Sequence, residues 1–343
     1  MTDTNSFWEQ SRVLIVAGKG GVGKTTVTAA LAVAAAKTGR SVQIVEIEGK
    51  SGLSRLFGSR PLSDIDQQLA PNIRGRQITS LAALLEYLND HGMRRVAKRM
   101  IRSGVADVVA TAVPGLRDLL VMGKIRQMQE ARVADVIVVD APAAGHALAF
   151  LATPRRMEQA ARVGPLRNQA ERAVAMLEDP SRCRVVPVTL PEHTPVSEMI
   201  QTAEWLTSQA GVVLAPAIVN MVNPDVSILA DQSAASLTTA ADRAGLGWPE
   251  ELIDACAQSA AFAVARGEQQ HAEIARLAKE TQLDLVSLPL IFEAEVDRSG
   301  IDHLADAFTA GIQATDRSAT HTAATELDAT NADPTANSNG GPR

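Results

Sequence analysis

Cysteine, aromatic residues and long apolar runs are scarce in this sequence. Only two of its 343 residues are cysteines, Cys183 and Cys256, and neither belongs to a Cys-x-x-Cys pair. A disulfide framework or a self-contained zinc site is therefore not expected. Aromatic residues make up only 3% of the chain, so the hydrophobic core must be built from Ala, Val, Leu and Ile.

No segment has the composition of a membrane anchor or of a secretion signal. The most apolar stretch, residues 29–36, is far shorter than a helix that crosses a bilayer. The first residues, MTDTNSFWEQ, contain neither the basic region nor the apolar region of a signal peptide. We therefore expect a cytoplasmic protein that contacts membranes, if at all, only peripherally. The net charge of −6 argues against nucleic acid as its main partner.

The sequence does contain a phosphate-binding loop. Residues 18–26 read GKGGVGKTT and satisfy the pattern G-x-x-x-x-G-K-[ST], between a predicted strand and a predicted helix. Glycines let backbone N–H groups surround phosphates, which larger side chains would obstruct. Lys24 is expected to reach the β- and γ-phosphates, and the Thr25 hydroxyl to ligate Mg²⁺. The predicted nucleotide-binding residues of the loop are Gly18, Lys19, Gly20, Gly21, Val22, Gly23, Lys24, Thr25 and Thr26.

The predicted nucleotide is ATP rather than GTP. Guanine-selective P-loop proteins read their base with an N-K-x-D motif. No such motif follows the predicted strand that ends at Asn220, where the chain continues as Met221-Val222.

Lys19 predicts both a catalytic role and a dimer. It lies five residues before Lys24, where an ordinary P-loop has no use for a lysine. A second cation on this turn can neutralise the phosphate charge as the bond breaks, much as an arginine finger does. If Lys19 points outward, it would act on the ATP of a facing subunit.

The apolar runs predict an α/β fold: a doubly wound, mostly parallel sheet of the P-loop NTPase type, with an inserted helical subdomain. Strands are predicted at residues 13–17, 42–47, 135–140, 184–190, 212–220 and 285–290. The helical subdomain is predicted at about 79–130 and 154–180, within an ATPase domain of residues 12–313. Residues 1–11 are predicted to be flexible. Residues 314–343 contain almost no large apolar residue and are predicted to be a disordered tail.

Two motifs carry a family resemblance. Residues 19–26 resemble the deviant Walker A motif of the ParA, MinD, NifH and ArsA/Get3 class of dimeric ATPases. The segment DAPAAGHALAFL, which begins at Asp140, resembles the switch II segment D-T-A-P-T-G-H-T-L-R-x-L of the ArsA/Get3 branch. PGLRD, from Pro114, is similar to that branch's P-G-x-D-E segment. The sequence is therefore identified as similar to the bacterial ArsA/Get3-like group of anion-transporting ATPases, over most of residues 12–310.

The resemblance implies roles for residues outside the P-loop. Asp140 would orient Mg²⁺ through water, and Gly145 would belong to the loop that senses the γ-phosphate. Asn220 and Pro289 would contact adenine. The family's switch I Asp, which acts on the attacking water, corresponds here to Glu48. Because a misplacement of about 1 Å can slow in-line attack a hundredfold, Glu48 predicts slow hydrolysis.

Three functions stay open at this point. The first is a dimeric ATPase, either a homodimer or a heterodimer, that couples nucleotide-driven closure to the handling of an unidentified client by the helical subdomain. The second is a catalytically weak ATP-binding subunit of a complex with a paralogous ATPase, which Glu48 favours. The third is a MinD- or ParA-like positioning ATPase, although the polar tail offers no membrane-binding helix. Arsenite transport is disfavoured, because soft metalloid ions need clustered thiolates.

One predicted helix is strongly basic. It contains Arg94, Arg95, Lys98, Arg99 and Arg102, with no acidic residue among them. Such a run is most often a solvated helix face. The alternative is docking to an acidic partner or to an anionic membrane surface.

Overall fold

A single eight-stranded sheet organises the computed structural model, which describes residues 5–47, 52–90, 92–103, 115–142, 144–293 and 295–331. The strands are β1 Val13–Gly18, β2 Val42–Ile47, β3 Gln67–Ala70, β4 Ile73–Ile78, β5 Val136–Asp140, β6 Cys183–Thr189, β7 Ala217–Val222 and β8 Leu285–Pro289. The helices are α1 Asn5–Glu9, α2 Lys24–Lys37, α3 Gly52–Leu56, α4 Ser80–Asp90, α5 Arg94–Ser103, α6 Leu116–Glu130, α7 Ala144–Ala160, α8 Pro165–Leu177, α9 His193–Trp205, α10 Ala234–Ala244, α11 Glu250–Thr281 and α12 Arg298–Asn331.

The strand order is β3-β4-β2-β5-β1-β6-β7-β8. Every neighbouring pair is parallel except β3 with β4, which confirms the predicted α/β class. Helices cover both faces, as a parallel sheet requires. On one face α4, α6, α7 and α8 bury side chains such as Ile15 and Val139 of the sheet. On the other face α2 and α12 bury side chains such as Leu14 and Val138.

The hairpin of β3 and β4 was not predicted from the sequence. Its strands are short and polar, with Gln and Arg in place of the β-branched runs that reveal the central strands. The turn depends on Asn72, whose φ of 59° is left-handed. Asparagine tolerates this conformation better than most residues do. Pairing with β2 therefore fixes this edge more than local propensity does.

The helices predicted as an inserted subdomain pack directly on the sheet. Leu119 and Met122 of α6 and Met176 of α8 are completely buried. They belong to the same apolar cluster as Val13 and Ile137 of the sheet. These helices therefore share one hydrophobic core with the central strands of the sheet.

For residues 5–11, the structure corrects the prediction of a flexible N-terminus. Residues 5–9 form α1, and Phe7 and Trp8 are each only 5% exposed. The two rings meet edge to face with their centroids 4.9 Å apart, and Phe7 meets Phe308 of α12 at 5.4 Å. The sequence predicted a flexible segment because its packing partner, Phe308, lies near the other end of the chain.

The predicted boundary of a disordered tail at residue 314 also differs from the structure. Helix α12 continues through it to Asn331. The composition lacks apolar residues for a core, but alanine has the highest helix propensity. A helix anchored by buried Ile301, Leu304 and Phe308 can extend into such a sequence. Residues 332–343 lie outside the described residues.

Among the described residues, no helix combines the length and the apolarity that crossing a membrane requires.

Candidate nucleotide site

The phosphate loop connects β1 to α2 and is fixed on its sheet side. Gly21 and Gly23 have φ angles of 84° and 86°, a left-handed backbone that favours glycine. A Cβ at Gly18 would lie 2.2 Å from the carbonyl oxygen of Val188 in β6, so no larger residue fits. At Gly20 and Gly21 an added Cβ would meet no described atom within 4 Å. The loop is therefore anchored toward the sheet and open on the opposite side.

Lys24 and the start of α2 supply positive charge to this cradle. The residue is 7% exposed, and its Nζ donates a hydrogen bond to the backbone oxygen of Lys19 at 2.8 Å. The ammonium group thus reaches back across the loop. The first turn of α2, which includes Thr26, adds the positive end of a helix dipole. Together they form a site suited to a polyphosphate.

Thr25 and Asp140 meet beside the cradle, as the magnesium prediction requires. The Thr25 hydroxyl donates to Oδ2 of Asp140 at 2.7 Å, and Asp140 is completely buried at the end of β5. A hydroxyl and a carboxylate are the hard oxygen ligands that Mg²⁺ prefers. The residues therefore fit the metal, and the roles of Thr25 as a ligand and of Asp140 in orienting the ion stay predictions.

Asn220 supports the loop from β7. It is 3% exposed, and its Nδ2 donates to the backbone oxygen of Val22 at 3.0 Å. A Cβ at Gly23 would lie only 2.3 Å from this nitrogen, so the loop backbone packs directly on the amide. Asn220 thus contacts the P-loop itself. Its predicted contact with adenine stays a prediction.

Lys19 has a partner that the sequence did not reveal. Its Nζ lies 3.0 Å from Oε1 of Glu198 in α9, with the two side chains 45% and 38% exposed. The lysine is therefore on the surface of the loop, tied to its own chain by one exposed ion pair. Glu198 is 179 positions away from Lys19, and no sequence motif connects the two residues.

Comparisons with known proteins agree with this geometry. The family model described as anion-transporting ATPase matches residues 11–169, which include the phosphate loop and Asp140. ATPase BagA of Mycobacterium tuberculosis is 34% identical over 312 residues, a match that covers 82% of this chain and 91% of that protein. The chain belongs to the ArsA/Get3 family of ATPases. Another family member, ATPase get3 of Schizosaccharomyces japonicus, is 30% identical over 167 residues, or 46% of this chain and 50% of that protein.

The structure describes only some of the remaining site residues that the family resemblance predicted. Gly145 lies in the first turn of α7, which follows β5 and Asp140. Pro289 ends β8 and is in register with Val222 of β7, two residues after Asn220. Glu48 lies outside the described residues, so its role as the catalytic carboxylate stays a prediction.

Glu46 is a second buried carboxylate, and neither the P-loop motif nor the resemblance at switch I predicted a role for it. It is 1% exposed in β2 and is in register with Asp140 on the neighbouring strand. Registered residues on parallel strands project to the same side of the sheet, so the two carboxylates share the face that α2 covers. The sequence did offer one signal for Glu46, since it is the single acidic residue in the strand VQIVEI. A charged side chain buried in a central strand is costly unless its surroundings stabilise the charge.

The two cysteines do not form the thiolate cluster that a soft metal or metalloid ion would need. Cys183 is buried in β6, and burial raises the pKa of its thiol to about 12. Cys256 is half-buried in α11. Within the described residues, no group of three or more His, Cys, Asp or Glu side chains could hold a metal ion.

Proposed function

We propose that this chain binds Mg·ATP in the site around Lys24 and hydrolyses it as a dimer. Closure of the dimer would act on a client through the helices that share the sheet's core. The observation that carries the proposal is the hydrogen bond between Thr25 and Asp140 beside a cradle of the P-loop type. It brings hard oxygen ligands to the place where the terminal phosphates of a bound nucleotide would lie. Membership of the ArsA/Get3 family supports ATP as the nucleotide.

Bound Mg²⁺ would neutralise the charge that develops on the β- and γ-phosphate oxygens. Thr25 would bind the ion through its hydroxyl oxygen. Asp140 would accept hydrogen bonds from the water molecules that complete the ion's coordination. Lys24 would exchange the carbonyl oxygen of Lys19 for phosphate oxygens, because a buried ammonium group gains more from a charged acceptor.

The dimer is supported by Lys19. Its side chain is on the loop surface, 45% exposed, rather than folded into the cradle beside Lys24. From this position it can reach the phosphates of a facing subunit once it leaves Glu198. Its contribution would be made mainly in the transition state, as charge accumulates on the transferred phosphoryl group.

A second candidate is an ATP-holding subunit that pairs with a paralogous ATPase. Glu48 in place of the family's switch I aspartate favours it, since the added methylene displaces the carboxylate from the attacking water. In that case the chain alone would bind ATP and hydrolyse it slowly. Addition of the paralogue would raise turnover.

Replacement of Lys24 tests the nucleotide site. Lys24→Ala should abolish tight binding of a fluorescent ATP analogue in the presence of Mg²⁺, while circular dichroism shows an intact fold. Lys279→Ala, an exposed lysine at the end of α11, is the matched control and should bind like the wild type. Unchanged affinity in Lys24→Ala would mean that the loop does not bind phosphate. Equal affinity for ATP and GTP would contradict the preference for adenine.

Replacement of Lys19 tests the dimer separately. Lys19→Ala should lower turnover far more than it lowers ATP affinity, because its contact with the facing subunit's phosphates, made when the dimer forms, strengthens as charge builds up in the transition state. Analytical ultracentrifugation with and without Mg·ATP measures assembly, and single-turnover hydrolysis with and without the paralogue separates the two candidates. A chain that stays monomeric in every mixture, and hydrolyses ATP equally well without Lys19, would leave the dimer unsupported.

A further inference from the structure

We propose that α5 is a docking surface for an anionic lipid membrane. All five of its basic side chains are exposed: Arg94, Arg95, Lys98, Arg99 and Arg102. The helix attaches to the protein by the opposite face, where Ala97 is 3% exposed and Met100 packs against the core beside α4 and α6. The positive charges therefore face solvent together. The inference does not depend on the ATPase activity.

Most of the charge on α5 is not compensated by the described residues around it. Four of the five side chains, those of Arg94, Arg95, Lys98 and Arg102, make no ion pair or hydrogen bond within the described part of the chain. Some surface cations elsewhere are paired: Lys37 with Asp306 at 2.7 Å, and Arg167 with Glu171 at 2.7 Å. A local surplus of unpaired cations on an exposed helix favours an anionic partner.

The geometry of α5 suits a lipid surface. Arg94, Lys98 and Arg102 follow each other at intervals of four residues, so they form one row about 12 Å long. Arg95 and Arg99 form a second row beside it. Val96, which is 46% exposed, lies beside the row of Arg95 and Arg99 and can enter the headgroup region. Long cationic side chains next to apolar ones are typical of helices that lie on anionic membranes.

The charge of the rest of the molecule would orient the docked protein. The chain has a net charge of −6, and α5 contributes +5, so the remainder carries −11. An anionic surface would repel that remainder and attract α5. The protein would therefore bind in one orientation, through an interaction that salt screens.

Sedimentation with lipid vesicles tests the proposal on the full-length protein. Wild type should bind vesicles of equimolar phosphatidylcholine and phosphatidylglycerol, and it should not bind vesicles of phosphatidylcholine alone. Binding should fall steeply as salt is raised from about 50 mM to about 500 mM. Each basic residue near such a surface contributes roughly fivefold, so Arg94→Glu, Lys98→Glu and Arg102→Glu together should weaken binding by at least a hundredfold.

The control is a second triple variant with the same change in net charge. Arg172→Glu, Arg243→Glu and Lys279→Glu replace exposed cations on α8, α10 and α11, and should leave vesicle binding within a few-fold of wild type. Both triple variants should keep the wild-type affinity for Mg·ATP, which shows that they are folded. Equal loss of vesicle binding in the two variants would overturn the proposal. So would a wild type that binds anionic and neutral vesicles alike or binds neither, and an acidic protein would then be the partner to seek.

Discussion

The ion pair between Lys19 and Glu198 leads to the sharpest prediction. The pair joins Nζ and Oε1 at 3.0 Å, and both side chains are more than a third exposed. Exposed pairs of this kind contribute about 0.2–1 kcal/mol. If Lys19 must leave Glu198 to reach the ATP of a facing subunit, the carboxylate opposes dimer formation by that amount in each subunit. Glu198→Gln keeps the side chain's size and removes its charge.

The expected size of the effect follows from this figure. A homodimer breaks two such pairs, so Glu198→Gln should raise the ATP-dependent dimerisation constant, but by no more than about thirtyfold. Sedimentation equilibrium with Mg²⁺ and a non-hydrolysable ATP analogue measures the constant directly. Glu204→Gln, which removes an exposed carboxylate from the same helix, is the control and should leave the constant nearly unchanged.

A double-mutant cycle decides whether the effect acts through Lys19. In a Lys19→Ala background, Glu198→Gln should no longer strengthen the dimer, because there is no lysine to release. The reasoning would be refuted if Glu198→Gln had the same effect with and without Lys19. It would also be refuted if Glu204→Gln strengthened the dimer equally, since the cause would then be general charge repulsion between subunits.

Four further predictions concern the loop, the cysteines and the terminal helices. Asn220→Ala should weaken Mg·ATP binding several-fold, because the buried oxygen of Val22 loses its donor; an unchanged affinity would show that the loop holds its shape alone. Gly18→Ala should disrupt the loop or the fold, since its Cβ would approach the Val188 oxygen to 2.2 Å; wild-type thermal stability and ATP binding would contradict this. Cys256 should react with a maleimide in the native protein, whereas Cys183, with its buried thiol and raised pKa, should react only after unfolding, as peptide mass spectrometry can show; arsenite should not stimulate ATP turnover through either. Trp8→Ala should lower the free energy of unfolding by about 3–5 kcal/mol in chemical denaturation, because its ring is buried against Phe7 and Phe308; a loss below about 1 kcal/mol would mean that α1 is not part of the core.

Much of the central sheet could be predicted because its signals are local. The strands β1 and β5 are almost continuous apolar runs, and most residues of β2 and β6 are also apolar, a composition that indicates burial on both faces of a parallel sheet. The hairpin of β3 and β4 could not be predicted from the sequence, because its strands are half-exposed and polar. Helix α1 could not be predicted either, because two aromatic residues in a polar segment, Phe7 and Trp8, do not indicate where they pack.

The sequence by itself determined the phosphate-loop motif and the family, and it singled out Thr25 and Asp140 as a proposed magnesium pair, since each depends on a contiguous motif. Residues 18–26 contain all the glycines and lysines that the cradle needs, and Asp140 begins its own motif. The tertiary structure decided which residues distant in the sequence contact this loop. It brings Asn220 under Val22 across 198 positions of sequence, and it places Glu198 against Lys19. Such contacts depend on the order of strands in the sheet, with β6 next to β1 and β7 next to β6, and local sequence patterns carry no information about that order.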